Sequence, residues 1–125
     1  MERERIHTES APAAVGPYSQ ANALGNLVFT SGQIPLDLSG EVVGNDVTAQ
    51  SEQVMKNLKA VLEAAGSSLD KVVKTTCYLS EISDFAEFNK VYGQYFREPF
   101  PARSCFAVKD LPKNVMVEVE AIAYR

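Results

Sequence analysis

The chain is short of the side chains that most enzymes use for covalent or metal chemistry. It has one histidine, His7, and two cysteines, Cys77 and Cys105, with no Cys-x-x-Cys spacing. One imidazole and two separate thiols do not supply the four-ligand set of a zinc site, so no metal is expected. A Ser-His-Asp triad would have to use His7, in the N-terminal arm, and nothing supports one. A single possible cysteine pair is not a disulfide framework, which fits a reducing compartment. No run approaches the ~20 apolar residues of a membrane span. The charged start Met1-Glu2-Arg3-Glu4-Arg5 lacks the apolar stretch of a secretory signal. The expectation is a cytoplasmic protein with no membrane partner. Basic residues are neither abundant nor clustered: 12 Lys and Arg face 16 Asp and Glu, for a net charge of −4. Nonspecific nucleic-acid binding leans on clustered positive charge, so no nucleic-acid partner is expected. Gly25 and Gly32 stand alone, without a phosphate-binding glycine motif.

What is present reads as one ordinary globular domain over residues 1–125. There is no internal repeat, linker or low-complexity tract. The composition is 46% hydrophobic and 22% charged, which argues against disorder. At this length folding buries roughly two-thirds of the unfolded surface. A short edge strand is expected around Arg5 to Thr8. An ordered loop follows from Ala11 to Ala23, then a strand over Leu27 to Gly32. Asp37 to Gly40 reads as a turn with a short return at Glu41 to Val43. Val54, Leu58, Val61, Leu62 and Ala65 recur at helical spacing and predict a helix over 46–65, capped by Asp46 or Thr48 and stopped by Gly66. Val72 to Tyr78 reads as a central strand. A second helix is expected over 84–97, with an aromatic stripe of Phe85, Phe88, Tyr92, Tyr95 and Phe96. Asp84 and Glu87 resemble a capping box. Arg103 to Lys109 and Val115 to Tyr124 read as the last two strands, neighbours in a hairpin.

Helical crossovers make some strand pairs parallel and the hairpin makes others antiparallel. The expected fold class is therefore α+β, a mixed sheet with both helices packed on one face. Along the last strand Ala121 and Ala123 point one way, Ile122 and Tyr124 the other. Apolar residues on both faces predict that the second face meets another subunit.

The chemistry concentrates in Phe100-Pro101-Ala102-Arg103-Ser104-Cys105 and Val117-Glu118-Val119-Glu120-Ala121. Alternation puts Arg103 and Cys105 on one face of their strand, and Glu118 and Glu120 on one face of theirs. A guanidinium can grip a carboxylate through two parallel hydrogen bonds. A nearby glutamate can orient water or move protons. Together these suffice to hydrolyse a small carboxylate-bearing molecule without a metal. Alone, Arg103 reads more simply as a surface strand residue or half of an ion pair with Glu118 or Glu120. Cys105 lacks a base and reads as a small semi-buried thiol rather than a nucleophile. Cys77 and the aromatic stripe read as core, and His7 as an edge residue.

Several segments together resemble the RidA family, also called YjgF, over essentially the whole chain. They are Ala11 to Gln20 (APAAVGPYSQ), Thr30 to Pro35 (TSGQIP), Lys74-Thr75-Thr76, Phe100 to Cys105 (FPARSC) and Val117 to Ala123 (VEVEAIA). The resemblance implies a chorismate-mutase-like fold, a homotrimer with a barrel-like centre, and a pocket at each subunit interface. It implies an enamine/imine deaminase that needs no cofactor. The substrates would be 2-imino acids, formed from 2-aminoacrylate or 2-aminocrotonate released by pyridoxal-phosphate enzymes. The products would be 2-keto acids and ammonia. Carried over by position, Arg103 binds the substrate carboxylate and Glu118 orients or activates water. Tyr18, Ser31 and Gly32 line the pocket, and Asn89 lies close to the site. Backbone groups at Cys105 face the substrate nitrogen. Glu120 is the neighbouring acid and not the chosen one. Two other roles attach to such proteins: ribonuclease or translation inhibitor, and a chaperone-like or keto-acid-binding trimer without turnover.

Overall fold

A computed structural model describes all of residues 1–125. Its strands are β1 (Arg3–Ile6), β2 (Ala21–Leu24), β3 (Leu27–Thr30), β4 (Val72–Leu79), β5 (Ala102–Ala107) and β6 (Val117–Tyr124). The two helices are α1 (Val47–Ala64) and α2 (Phe85–Tyr95). The strands form one sheet in the order β1-β2-β3-β6-β4-β5. Every pair is antiparallel except β4 with β5. The α+β class and the mixed sheet are as expected.

The expected hairpin between the last two strands does not form. β6 inserts between β3 and β4, so β4 separates β5 from β6. The connection passes over the end of β4. Val108 N donates to Leu79 O, and Ser80 N donates to Met116 O, pinning both flanks of β4's exit. β2 also lies where a loop was expected. Its Ala-Asn-Ala-Leu sequence carries no β-branched or aromatic signal, and it is held by ladders to β1 and β3. Glu41 to Val43 makes only a single bridge, Leu36 to Val42.

α1 begins as its sequence predicts. The Asp46 side chain accepts from Ala49 N at 2.8 Å, satisfying one of the free amides of the first turn. The chain leaves the helix at Gly66, whose φ of +82° favours glycine. The Asp84–Glu87 capping box is absent. A short turn at Ile82–Asp84 runs straight into α2, where Phe85 N donates to the Ile82 carbonyl. Asp84 sits in a helical backbone (φ −84°, ψ −1°) and makes no side-chain cap, and Glu87 pairs with Lys90.

Both helices cover one face of the sheet. Val54, Leu58, Val61 and Leu62 of α1, with Phe88 and Val91 of α2, pack against Cys77 and Leu79 of β4 and the apolar side of β6. Each large apolar side chain sealed this way contributes roughly 1.5–3 kcal/mol. The opposite face has no helix over it. Leu24, Leu27, Phe29, Phe106 and Tyr124 are exposed there, beside the half-buried Glu118 and Glu120.

The N-terminal loop is tied down by one buried side chain. Gln20 Nε2 donates to the carbonyls of Thr8 and Pro12, and its Oε1 accepts from Thr8 N. This bracket fixes the approach of residues 8–19 to the sheet.

Candidate active site

The predicted site residues fall into two groups, on opposite faces of the sheet. β4 pairs Thr75 with Arg103 and Cys77 with Cys105, and Thr75 and Cys77 are buried beneath the helices. Arg103 and Cys105 therefore point to the helix side. On β6, Val117, Val119, Ala121 and Ala123 are buried on that side, so Glu118 and Glu120 point to the other. Arg103 and Glu118 are thus separated by a strand and by the thickness of the sheet. The ion pair that sequence reasoning allowed between them does not exist, and no carboxylate pairs with Arg103.

The Arg103 group is held by α2. Nη1 donates to Asn89 Oδ1 at 2.7 Å. The guanidinium carbon lies 4.7 Å from the Tyr92 ring centre and 5.3 Å from that of Phe85. Both distances fall within cation–π range. Arg103, Tyr92, Phe100 and Pro101 line a hollow of about 420 Å³. Cys105 is half-buried, and burial pushes its thiol up, partly opposed by Arg103. Its ladder neighbour Cys77 is pushed up to about 12 by burial. Neither is poised as a thiolate nucleophile. His7 lies exposed just beyond β1.

The Glu118 group is built around an irregularity. β3 leaves β6 after the Phe29–Ile122 pair and contact resumes at Gln33–Val119. One more residue lies on the 29–33 side than on the 119–122 side, a bulge. Thr30 Oγ1 fills the gap by accepting from Ala121 N at 3.0 Å. Ser31 is fixed by Ser31 N to Gln20 O and by its hydroxyl to Ser19 O. The bulge brings Gly32 against the Glu118 side chain, and a Cβ built on Gly32 would overlap that carboxylate. A larger residue at this position would displace the Glu118 carboxylate.

Tyr18, Ser31, Gly32 and Glu118 share a cavity of about 710 Å³, with Ile34, Leu36 and Lys113 among its other walls. Tyr18 is 54% exposed at its mouth. The Glu118 carboxyl is raised above the ordinary value, first by burial and then by the Glu120 charge on the same strand face. Glu120 accepts from the Tyr78 hydroxyl at 3.1 Å.

Sequence reasoning did not find Gln20, Gln33, Lys113, Thr75 or Tyr92 as parts of these two groups. Thr75 belongs to the Lys74-Thr75-Thr76 segment, which carries no site signal of its own, and Tyr92 to a stripe whose spacing reads as core. Lys113 carries no periodic or motif signal; it enters because a turn at Pro112–Asn114 adopts φ of +57° at two successive residues. Its Nζ donates to Gly40 O across the cavity wall.

Together these features define a small α+β protein whose mixed sheet carries a stacked arginine on one face and a crowded glutamate on the other. The chain belongs to the RidA (YjgF) family: the family model described as Endoribonuclease L-PSP matches residues 8–125. It is 52% identical to a RutC family protein of Pyrococcus abyssi over 126 residues, covering 100% of this chain and 99% of that one. It is 50% identical to the 2-iminobutanoate/2-iminopropanoate deaminase of Salmonella typhimurium, covering 96% of each. The crystal structure of RidA from an Antarctic Psychrobacter superposes with a TM-score of 0.94 at 47% identity, covering 98% of this chain and 99% of that one.

Proposed function

We propose that this protein hydrolyses 2-imino acids to 2-keto acids and ammonia, at pockets formed between the subunits of a homotrimer. The observation that carries the reading is Arg103: half-buried, stacked on neutral groups, and without any carboxylate partner. A cation held this way attracts an anion that the chain does not supply. The 50% identity to a named 2-iminobutanoate/2-iminopropanoate deaminase supplies the substrate class.

Because Arg103 and Glu118 lie on opposite faces, no single chain can present both to one small molecule. An assembly in which the Glu118 face of one chain meets the Arg103 edge of the next brings them together. The uncovered apolar face and the unpaired outer edge of β5 support such a contact. In the resulting pocket Arg103 grips the substrate carboxylate. Backbone groups near Gly32 and Cys105 hold the imine nitrogen. Water adds to the imine carbon while Glu118 takes its proton and relays it to the imine nitrogen, giving a carbinolamine. The C–N bond then breaks as the carbinolamine hydroxyl passes its proton, again through Glu118, to the departing nitrogen, so that the carbonyl forms and keto acid and ammonia leave. Imine hydrolysis has a low intrinsic barrier, so positioning and modest acid–base help suffice.

The test couples threonine dehydratase, as the source of the enamine, to this protein and follows 2-ketobutyrate. Wild type should accelerate its appearance and Arg103→Ala should not, while folding and oligomeric state are retained. Near-normal turnover by a folded Arg103→Ala variant would falsify the role of Arg103. The family description also names an endoribonuclease. RNA cleavage by nuclease-free protein, lost in Arg103→Ala and without imine turnover in the wild type, would transfer the reading to that activity.

A further inference from the structure

The Lys74-Thr75-Thr76 segment and the aromatic stripe of α2 meet at one point, the Arg103 guanidinium. Thr75 is fully buried and is the direct ladder partner of Arg103 across β4 and β5. Its hydroxyl shares a 2.8 Å hydrogen bond with the Tyr92 phenol. The Tyr92 ring lies against the Arg103 guanidinium at 4.7 Å. Ladder register, hydrogen bond and cation–π contact close a triangle of Thr75, Tyr92 and Arg103. Phe85 and Asn89 complete the cradle, and Phe85, Asn89 and Tyr92 stand at i, i+4 and i+7 on one side of α2.

We infer that Tyr92, locked by Thr75, is a positioning residue that fixes the Arg103 guanidinium plane for gripping the substrate carboxylate. This rests on the reading of Arg103 as the carboxylate anchor. An arginine free in solvent loses rotamer freedom each time it grips a ligand. Here that freedom is already spent in the resting protein. The holding groups are two π faces and an amide oxygen, all neutral. An acid in their place would orient the guanidinium equally well but cancel the charge that draws the substrate. The Tyr92 phenol is neutral in any case, and burial pushes it up further, with Thr75 and Arg103 only partly opposing. Asn89 occupies one N–H group, and the remaining donors of the fork stay available. The stripe thus divides its work. Phe88 and Phe96 pack against the buried Tyr92 ring at tilted angles, while a face of that ring lies under the Arg103 guanidinium.

The test measures 2-ketobutyrate binding by titration calorimetry, and KM and kcat for the in situ imine, on the intact protein. Tyr92→Leu removes the π face and should weaken 2-ketobutyrate about tenfold. KM should rise in step while kcat changes little. Tyr92→Phe keeps the face and should recover most of the affinity. In an Arg103→Lys background, where the planar cation is absent, Tyr92→Leu should add little further loss. Thr75→Val preserves shape and serves if Tyr92→Leu does not fold; it should weaken binding about two- to threefold. Unchanged affinity in a folded Tyr92→Leu or Thr75→Val protein, or equal losses in both Arg103 and Lys backgrounds, would overturn the inference. Failure of the wild type to bind 2-ketobutyrate would overturn it together with the anchor role of Arg103. Binding that follows the expected pattern without any acceleration of imine hydrolysis would uphold the positioning role and sink only the deaminase reading.

Discussion

Gly32→Ala isolates the Glu118 carboxylate without touching it. The added Cβ would overlap the Glu118 side chain from the carboxylate back to its Cγ, so the carboxylate must swing away by an ångström or more. Gly32 does not occupy the left-handed region, so alanine can adopt its backbone without strain. The displaced side chain has the adjoining cavity to enter. Gly→Ala at a compatible backbone stabilises through the unfolded state by about 0.4–1 kcal/mol, which offsets part of the crowding. The net stability change should stay within about 1 kcal/mol, or about 4 °C in Tm. Catalysis should suffer far more, because a misplacement of about 1 Å in a positioned group costs on the order of 100-fold. The expected result is a kcat roughly 100-fold lower, with a smaller change in KM, since the Gly32 backbone is kept and the substitution leaves the carboxylate grip of Arg103 intact. Thermal melting and the coupled 2-ketobutyrate assay measure the two quantities. A folded Gly32→Ala protein with wild-type kcat would show that the position of Glu118 does not matter to the reaction.

The pH dependence follows from the same carboxyl. Its raised value means that Glu118 ionises only at higher pH than an ordinary glutamate, so activity needing the carboxylate is lost on acidification sooner. Glu120→Gln removes the second cause and should move the acid limb of kcat downward, but only part way, because burial remains; an unmoved limb would assign it to another group. For stability the sign is opposite to that of an ion-paired acid: the folded state holds a proton that the unfolded state has released. Stability therefore falls as pH rises from the ordinary glutamate value through the raised one, and Glu118→Gln should flatten that slope in denaturation curves taken across the range. Cys105→Ala should keep substantial activity in the coupled assay, because the thiol is pushed up rather than activated; complete loss in a folded variant would give the sulfur a chemical role. Asp46→Ala removes the side-chain cap of α1 and should cost about 1 kcal/mol in urea denaturation, with kcat unchanged; no loss of stability would mean that another group caps the helix.

Local signals were legible wherever they were strong. α1 carried both its helical periodicity and its two punctuating residues, Asp46 and Gly66, and the structure uses both. β4, α2, β5 and β6 also fall where their patterns put them. β2 escaped because two alanines and an asparagine have no strand signature of their own and take their conformation from β1 and β3. The capping box at Asp84 failed because the preceding turn holds Asp84 in a helical backbone (φ −84°, ψ −1°) rather than the extended one of a cap residue, and its own N–H is taken by Glu81 O. The aromatic stripe was legible as core, but one side of Tyr92 faces Arg103, and spacing along a helix does not reveal what lies across from it.

The class of fold, both helices, the shared face of Arg103 with Cys105 and of Glu118 with Glu120, and membership of the family can all be read from the chain. Each depends on neighbours a few residues apart or on short segments in order. Which strand lies beside which is settled only on folding. Alternation tells which side chains on one strand share a face, but it carries no information about the strand's partner, because pairing is settled by contacts between residues far apart in the chain. The insertion of β6 between β3 and β4 separates Arg103 from Glu118 by a strand, the registers Thr75–Arg103 and Tyr78–Glu118 on β4 put them on opposite faces, and the bulge at residues 29–33 presses Gly32 against Glu118. Those two long-range outcomes turn what reads as one compact motif into two half-sites.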